Sequence, residues 1–205
     1  MQRVTRKDTS YLLTIPTTMN IVTRTFKRLI SIVTGLFLAS CTEETATLTP
    51  VSNFDAARYL GRWYEIARLP NRFEEGLADV RAEYAPRNAT TIKVMNTGYD
   101  VAQQRWRSVR GIARFAGARD VGHLRVSFFR PFYASYKIIA LDTNAYQYAL
   151  VTGNDFSYLW LLARTPQLPD ATRTMLIEKA AALGFATNRL IYVVHDRDDS
   201  IAAKE

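Results

Sequence analysis

Eight short segments rich in β-branched and aromatic residues constrain the fold of this 205-residue chain more than any other feature. Turn-forming residues such as Pro70-Asn71, Gly117 and Gly153-Asn154-Asp155 separate them at nearly regular intervals. This spacing is typical of an antiparallel sandwich or barrel, and an eight-stranded meander can close into a barrel without free edges. We therefore predict an all-β, eight-stranded antiparallel up-and-down β-barrel with strands at 62–69, 79–86, 90–99, 104–116, 122–129, 134–142, 146–152 and 158–164.

The segment after the eighth strand predicts one C-terminal α-helix packed outside the barrel. The helix is expected to start at Pro169-Asp170, where the Asp170 side chain would cap it. It should continue through Leu183 and end at Gly184. A short further strand is predicted at 190–194. The helix face that should pack on the sheet is formed by Leu176, Ala180 and Leu183.

Hairpin direction assigns residues to the two ends of the barrel. In a meander the turns after the odd-numbered strands share one end, and the start of the first strand and the end of the eighth lie at the other. Trp63 and Arg164 are therefore predicted together at this second, closed end, on neighbouring strands. We expect Gly61 to permit a tight entry and Trp63 to plug the barrel beneath the Arg164 guanidinium, a contact worth about 0.5–2 kcal/mol.

The N-terminus carries most of the charge and is predicted to be a sorting signal. The chain has a formal net charge of +8, of which residues 1–40 hold +5. Arg24, Lys27 and Arg28 precede an apolar run over 29–38 that is too short to span a membrane. The small positive charge on the remaining residues argues against a nucleic-acid partner. Residues 1–40 are thus interpreted as an N-terminal extension and signal peptide.

The stretch Leu38-Ala39-Ser40-Cys41 resembles the lipobox of bacterial lipoproteins, in which the signal is cleaved before a lipidated cysteine. This resemblance implies a membrane anchor on Cys41, a lipidated tether over 41–51, a barrel domain over 52–196 and a polar tail over 197–205. Thr42 follows the cysteine where that family's inner-membrane members have Asp, which implies the outer membrane with the barrel facing the periplasm. A free thiol after an ordinary signal peptide is the alternative.

Cys41 is the only cysteine, so the predicted domain has neither a disulfide nor a cysteine-rich metal site. His123 and His195 stand far apart without ligand spacing. We therefore expect no metal and no cofactor.

Three motifs resemble those of the lipocalin family. Gly61-Arg62-Trp63 is similar to its G-x-W motif, and 160–166 is similar to the arginine-ending motif of its last barrel strand. The turn over 143–148 resembles a degenerate T-D-x-x-N-Y, with Asn144 in place of Asp and Gln147 in place of Asn. Segments 53–61, 63–68, 126–133 and 155–160 look like the bacterial outer membrane lipoprotein group of this family. The resemblance covers about residues 52–195 and implies a barrel that binds fatty acids or lysophospholipids.

Alternation along the strands predicts the lining of the barrel. Arginines such as Arg110 and Arg125 must face water, so their neighbours face inward, and the small residues Gly111 and Ala113 indicate free space. The lining is predicted to be apolar, as in small-molecule sites, with a few polar points. We interpret as ligand-binding residues Trp160, Tyr158, Leu162, Phe128, Val126, Tyr136, Ile138, Phe115, Ala113 and Asn96.

At the open end, Arg72 and Arg130 are predicted near the mouth with Phe73 and Phe132, where they could meet the anionic headgroup of an amphiphile. The predicted protein is therefore an outer-membrane-anchored lipocalin that stores or transports a fatty acid or lysophospholipid and is not an enzyme. The sequence is also compatible with a homodimer.

Three alternatives remain. An enzyme could use Glu65, Asp142 or His195, although no catalytic arrangement of them can be recognised in the sequence. A carrier of haem or another tetrapyrrole is the second, and a structural envelope lipoprotein with a filled barrel is the third.

Overall fold

The computed structural model of the protein describes residues 48–197. The strands are β1 Gly61–Arg68, β2 Leu77–Asn88, β3 Thr91–Asp100, β4 Arg105–Phe115, β5 His123–Ser127, β6 Ala134–Leu141, β7 Tyr148–Thr152, β8 Leu159–Ala163 and β9 Ile191–Tyr192. Strands β1 to β8 form an antiparallel meander in which β1 pairs with both β2 and β8, so the barrel is closed. The predicted eight-stranded barrel is confirmed.

The C-terminal strand β9 extends the sheet in a way that the meander pattern does not predict. It pairs with the end of β1, at Ala67 and Arg68. The residues that follow it continue the ladder, because Val193 N donates to Ile66 O at 3.0 Å and Asp79 N donates to Val194 O at 3.2 Å. The C-terminal segment therefore lies between β1 and β2 toward the open end.

Two helices flank the barrel. Helix α1, Ala56–Tyr59, was not predicted, because four residues are too few to show a helical period. Helix α2, Asp170–Ala182, agrees with the predicted C-terminal helix, and Gly184 follows it with φ +96°. Within residues 48–197 no helix has both the length and the apolar composition needed to cross a membrane.

The predicted cap of α2 is wrong. Pro169 occupies the N-cap position and no side chain caps the helix. Asp170 is the first helical residue, and its carboxylate accepts a hydrogen bond from Arg173 Nη2 at 2.8 Å. An acidic side chain in the first turn still interacts favourably with the helix dipole, which explains why the position suits Asp.

The alternating side chains build two cores. The inner core lies inside the barrel and includes Trp63, Leu124, Ile138 and Leu162. The outer core lies between the barrel wall and α2, where Leu159 and Leu161 of β8 pack with Leu176, Ala180, Leu183 and Phe185. The predicted packing of the helix on the outside of the barrel is therefore confirmed.

The predicted signal, the lipidated Cys41, the tether up to residue 47 and the tail after residue 197 lie outside the described residues. Their assignments remain predictions.

Candidate functional site: the barrel interior and its two ends

The closed end is built on Arg164, which follows β8. Its guanidinium carbon lies 3.9 Å from the centroid of the Trp63 ring, and the Trp63 side chain is completely buried. The guanidinium also donates to three backbone carbonyls, those of Arg62 at 2.8 Å, Arg58 at 2.7 Å and Tyr146 at 3.2 Å. Gly61 has φ +95°, and a Cβ there would come within 3.3 Å of Arg164 Nη1. Gly61, Trp63 and Arg164 thus meet at one end of the barrel, as hairpin direction predicts.

Helix α1 packs against Trp63 and completes the closed end of the barrel. The Trp63 indole donates to Tyr59 O at 2.8 Å, and the Tyr59 ring packs 4.7 Å from the Trp63 ring. Arg58 stacks on the Tyr146 ring at 4.2 Å and donates to the carbonyls of Thr143 and Asn144. The backbone of the β6–β7 turn is thereby tied to α1, which closes the barrel opposite the mouth.

That turn is organised by a residue just before the degenerate motif. The Asp142 carboxylate accepts hydrogen bonds from the backbone N–H groups of Asn144, Ala145 and Gln147, at 3.2 to 3.3 Å. The Asp142 carboxylate therefore stabilises the β6–β7 turn.

Three tyrosines line the closed half of the barrel. The Tyr136 hydroxyl lies 2.7 Å from the Tyr59 hydroxyl and 2.8 Å from the Tyr84 hydroxyl. Burial raises the pKa of Tyr84 to about 12 and raises those of Tyr59 and Tyr136 as well, so all three stay protonated at neutral pH. The three hydroxyl groups have three protons, and the two hydrogen bonds between them use two of these protons. One hydroxyl proton is therefore left to donate to a further acceptor.

The residues predicted to bind ligand do lie on the inner face of the barrel, although at different depths. Phe115 lies at the closed end, where the Arg119 guanidinium stacks on its ring at 5.2 Å. Tyr136 and Ile138 also lie in the closed half. Tyr158 and Trp160 lie toward the mouth, stacked with ring centroids 5.6 Å apart and both partly exposed. Residues that belong to or pack against the inner core are Trp160, Leu162, Phe128, Val126, Tyr136, Ile138, Phe115 and Ala113.

The predicted free space beside Gly111 is wrong. A Cβ at this position would lie 2.7 Å from the Phe128 ring and 2.7 Å from Ser127 O. Position 111 requires glycine because the ring of Phe128, the residue after β5, packs directly against it inside the barrel. The aromatic ring therefore occupies volume that the sequence assigns to a ligand.

Asn96 supplies a polar point in the wall, as predicted. Its register partners are Ala82 and Val109, and its Oδ1 is buried without a hydrogen-bond partner among the described residues. A buried carbonyl oxygen without a donor is costly, so Asn96 offers an acceptor to a donor group that enters the barrel.

A charged cluster inside the barrel escaped the sequence-based prediction. Glu65 and Arg68 are each 3% exposed, and Arg68 Nη1 donates to Glu65 Oε1 at 2.6 Å. The register of β1 against β8 shifts between Glu65 and Ala67, which places both residues opposite inner-face residues of β8. Alternation along β1 from Trp63 predicts that Glu65 faces inward. It predicts that Arg68 faces outward, and the register shift is what turns Arg68 inward.

The β1–β2 loop adds a second carboxylate to this cluster. Glu74 Oε2 accepts from the Trp160 indole at 2.9 Å and from Asn71 Nδ2 at 2.6 Å. Arg68 Nη2 donates to the Glu74 backbone carbonyl at 2.8 Å. The loop is thereby fastened into the mouth by its own side chain.

The surroundings of Glu65 favour its neutral form over its ionised form. Burial raises the pKa of its carboxyl well above the usual 4.5, and the adjacent Glu74 carboxylate raises it further, against the opposing effect of Arg68. The Glu65 carboxyl therefore keeps its proton to a higher pH than an exposed glutamate does.

The mouth has exposed arginines and aromatic residues, as predicted. Arg72 and Arg130 are both exposed, and Arg72 stacks on Phe73 at 5.0 Å. Phe73, Phe129 and Phe132 are 65%, 74% and 77% exposed, so most of each of these residues faces solvent.

The remaining candidates for chemistry lie elsewhere. His195 Nε2 lies 2.8 Å from Glu65 O, and His123 Nε2 lies 2.9 Å from Ser135 Oγ on the face of β5 that is opposite to Leu124. Burial, with nearby Lys137 and Arg125, lowers the pKa of His123. Among residues 48–197 no group of three His, Cys, Asp or Glu side chains could hold a metal ion.

Two hollows open beside α1, with volumes of about 390 and 170 Å³. Both lie at the closed end, so neither is the predicted barrel site. Phe115 and Arg119 line both of them.

Comparisons with known proteins agree with this architecture. Residues 54–195 match the Lipocalin-like domain family. The chain is 44% identical to the outer membrane lipoprotein Blc of Vibrio cholerae over 79% of its length and 95% of that protein. It is also 44% identical to the protein of the same name from Escherichia coli K12, over 80% and 94% of the two chains.

The fold is shared with more distant proteins. The crystal structure of the cockroach allergen Per a 4 superposes with a TM-score of 0.59 at 22% identity, over 75% of this chain and 95% of the allergen. Members of this family generally bind and carry small hydrophobic molecules rather than catalyse reactions. This chain belongs to the lipocalin family.

Proposed function

We propose that this chain is a lipocalin anchored in the outer membrane that holds one amphiphilic lipid, a fatty acid or a lysophospholipid, for storage or transport. The observation that carries the proposal is the partly exposed stack of Tyr158 on Trp160, just inside the mouth of the barrel, where Trp160 packs against the inner core. Stacked aromatic rings on an inner wall offer a flat apolar surface to an acyl chain.

The energetics support a lipid of ordinary length. Burial of each methylene contributes about 0.8 kcal/mol, so a sixteen-carbon chain supplies about 12 kcal/mol. Association costs at least about 4 kcal/mol. The remainder corresponds to micromolar binding.

The mouth suits an anionic headgroup. Arg72 and Arg130 are exposed beside uncovered phenylalanines, so a phosphate or carboxylate could pair with either guanidinium while the chain stays inside. We infer that the lipid enters tail-first.

The membrane anchor rests on sequence and on relatives. The similar proteins from Vibrio cholerae and Escherichia coli are named outer membrane lipoproteins. We propose that Cys41 carries the lipid, that residues 1–40 are removed as a signal, and that the barrel faces the periplasm.

A titration of the full chain with a long-chain fatty acid or lysophospholipid tests this function. The tryptophan emission should change saturably with one lipid per barrel, and Trp160→Phe should remove most of the change. Trp106→Phe is the matched control, because Trp106 contacts Tyr99 and Arg81 rather than Trp160. Native mass spectrometry of the protein purified from membranes should also show bound lipid. Flat emission together with a lipid-free spectrum would reject the carrier function.

A filled structural barrel is the second candidate function. Phe128 over Gly111 and the tyrosine chain in the closed half both favour it, since they occupy volume that a ligand would need. A haem carrier is less well supported, because neither His123 nor His195 points into the barrel.

A further inference from the structure

The carboxylate of Glu74 is bound inside the barrel in the manner of a ligand. It comes from a loop at the mouth, yet its side chain is only 13% exposed. The donors on Oε2 come from the barrel wall, through the Trp160 indole at 2.9 Å, and from the loop itself, through Asn71 Nδ2 at 2.6 Å.

A guanidinium completes the surroundings of this carboxylate. The Arg68 side chain is 4% exposed, and its Nε lies 3.9 Å from Glu74 Oε2. That nitrogen is buried and has no hydrogen-bond partner in the part of the chain that the structure describes. Since the other nitrogens of Arg68 are bound to Glu65 and to backbone carbonyls, Nε is the donor left over for an anion in the Glu74 position.

The surroundings of the Glu74 carboxylate favour an anion at its position. The Arg68 guanidinium faces two carboxyl groups, Glu65 at 2.6 Å and Glu74 at 3.9 Å, and burial together with Glu74 favours the neutral form of Glu65. Removal of the Glu74 carboxylate without replacement would take one of these two partners from a buried guanidinium and leave the Trp160 and Asn71 donors without their acceptor, which is unfavourable. An exchange of one carboxylate for another keeps these contacts.

We propose that Arg68, Trp160 and Asn71 form a carboxylate-binding site in the mouth, which Glu74 occupies as an internal substitute for the carboxylate of a fatty acid. The inference rests on the proposed function and refines it. The carboxylate of a fatty acid binds at Arg68 inside the mouth, and the exposed Arg72 and Arg130 are left for the phosphate of a lysophospholipid. When the β1–β2 loop moves outward, the Glu74 carboxylate enters water and the fatty-acid carboxylate takes its place, with the acyl chain against Trp160 and Tyr158.

The site discriminates between headgroups by charge. A fatty alcohol of equal length buries the same apolar surface but supplies no anion to Arg68, so it competes poorly with Glu74. A fatty acid competes well. The intact loop thus lowers the apparent affinity for fatty acids by the fraction of molecules in which Glu74 occupies the site.

Acetate is the first probe, because it is a carboxylate without an acyl chain. In the full chain carrying Glu74→Ala, sodium acetate should shift the Trp160 indole N–H resonance saturably and raise the melting temperature, compared with sodium chloride at equal ionic strength. The matched control is Glu75→Ala, which removes the adjacent, exposed glutamate. The control and the unmodified chain should show no saturable shift.

Long-chain ligands are the second probe. Relative to Glu75→Ala, Glu74→Ala should bind hexadecanoic acid at least about tenfold more tightly, whereas the affinity for hexadecanol should change by less than about twofold. If Glu74→Ala does not fold, Glu74→Gln removes the charge but keeps an oxygen for the Trp160 and Asn71 donors, and the same gain in selectivity is expected.

The outcomes separate this inference from the proposed function. Saturable acetate binding to Glu74→Ala without binding of any long-chain lipid would support the carboxylate site and reject the lipid carrier. Absence of an acetate response would overturn the inference, whatever the lipids do. An equal gain for hexadecanoic acid and hexadecanol would overturn it as well.

Discussion

The Arg164 guanidinium covers the Trp63 indole at 3.9 Å while it donates to the carbonyls of Arg62 and Arg58. One side chain therefore joins the last strand of the barrel to its first strand and to helix α1. Burial lowers the pKa of this guanidinium, yet arginine remains charged throughout the useful pH range.

Arg164→Ala should lower the free energy of unfolding by roughly 1–3 kcal/mol, because it removes the cation from Trp63 and the hydrogen bonds to three backbone carbonyls. Urea denaturation followed by circular dichroism measures this loss. Arg164→Lys should recover only part of it, since an ammonium lacks the planar fork. Arg114→Ala, at an exposed position of β4, is the control. Equal midpoints for Arg164→Ala and Arg114→Ala would contradict the structural role.

The carboxyl of Glu65 should make stability depend on pH with a sign opposite to that of an ordinary surface acid. Its pKa is raised above 4.5 in the folded protein, so above that pH the folded state holds a proton that the unfolded state has lost. The free energy of unfolding is therefore highest below this value and falls as pH rises toward the raised pKa of the folded state. Glu65→Gln has no proton to lose and should show a weaker fall.

Urea denaturation at a series of pH values from 4.5 upward tests this sign. Glu75→Gln, at an exposed position in the same region, should retain the fall seen in the unmodified chain. A fall of the same size in Glu65→Gln would mean that another group carries the pH dependence.

Hairpin direction predicted the closed end correctly because it depends only on the number of strands, which the breakers in the sequence reveal. Trp63 and Arg164 meet for this reason even though 101 positions separate them in the chain. The inward placement of Leu124, Val126 and Ile138 followed equally well from alternation, since β5 and this part of β6 pair without interruption.

The interior cluster could not be predicted, because it depends on two departures from alternation. The register shift in β1 turns Arg68 inward, and the β1–β2 loop folds Glu74 back into the mouth. Neither a shift of one residue nor the path of a loop leaves a periodic signal. The space beside Gly111 was mispredicted for a related reason: a small residue indicates that something comes close, and here it is Phe128.

Asp79 should hold the C-terminal segment in place. It is buried, with φ +50°, and its carboxylate accepts from the backbone N–H groups of Asp196 and Arg197 and from Arg197 Nη1 at 2.6 Å. Asp79→Asn tolerates this backbone conformation but loses the charge, so it should cost roughly 1–3 kcal/mol. Asp79→Ala should cost more, because alanine also strains the backbone at positive φ.

Thermal melting and amide hydrogen exchange of Val193 test this role, because the Val193 N–H donates to Ile66 O in the inserted segment. Exchange should accelerate in both Asp79 variants. Asp196→Asn, which alters an exposed partner of Arg197, serves as the control. Protection of Val193 that is unchanged in Asp79→Ala would show that the segment is held by other contacts.

Lipidation of Cys41 should determine where the protein resides. Cys41→Ser should remove the acyl label and leave the precursor unprocessed, whereas Thr42→Ser should behave as the unmodified chain. Three long acyl chains, at about 0.8 kcal/mol per buried methylene, give a stable anchor. Metabolic labelling with a radioactive fatty acid and membrane fractionation measure both effects. An acylated Cys41→Ser protein in the outer membrane would rule the assignment out.

Substitution of Phe128 should distinguish a lipid carrier from a structural protein with a filled barrel. Phe128→Ala leaves Gly111 facing an open volume, so a carrier should bind hexadecanoic acid more tightly, at a cost in stability of about 3–5 kcal/mol when no ligand is present. Bound lipid should restore part of that loss, since a ligand that binds only the folded state raises its stability.

Phe129→Ala is the matched control for this comparison, because the neighbouring ring is 74% exposed and does not enter the barrel. Isothermal titration calorimetry gives the affinities, and melting curves with and without lipid give the recovery. In a carrier, lipid should raise the melting temperature of Phe128→Ala more than that of Phe129→Ala. If lipid binds neither variant and only Phe128→Ala is destabilised, Phe128 is a core residue of a filled barrel and the protein does not carry lipid.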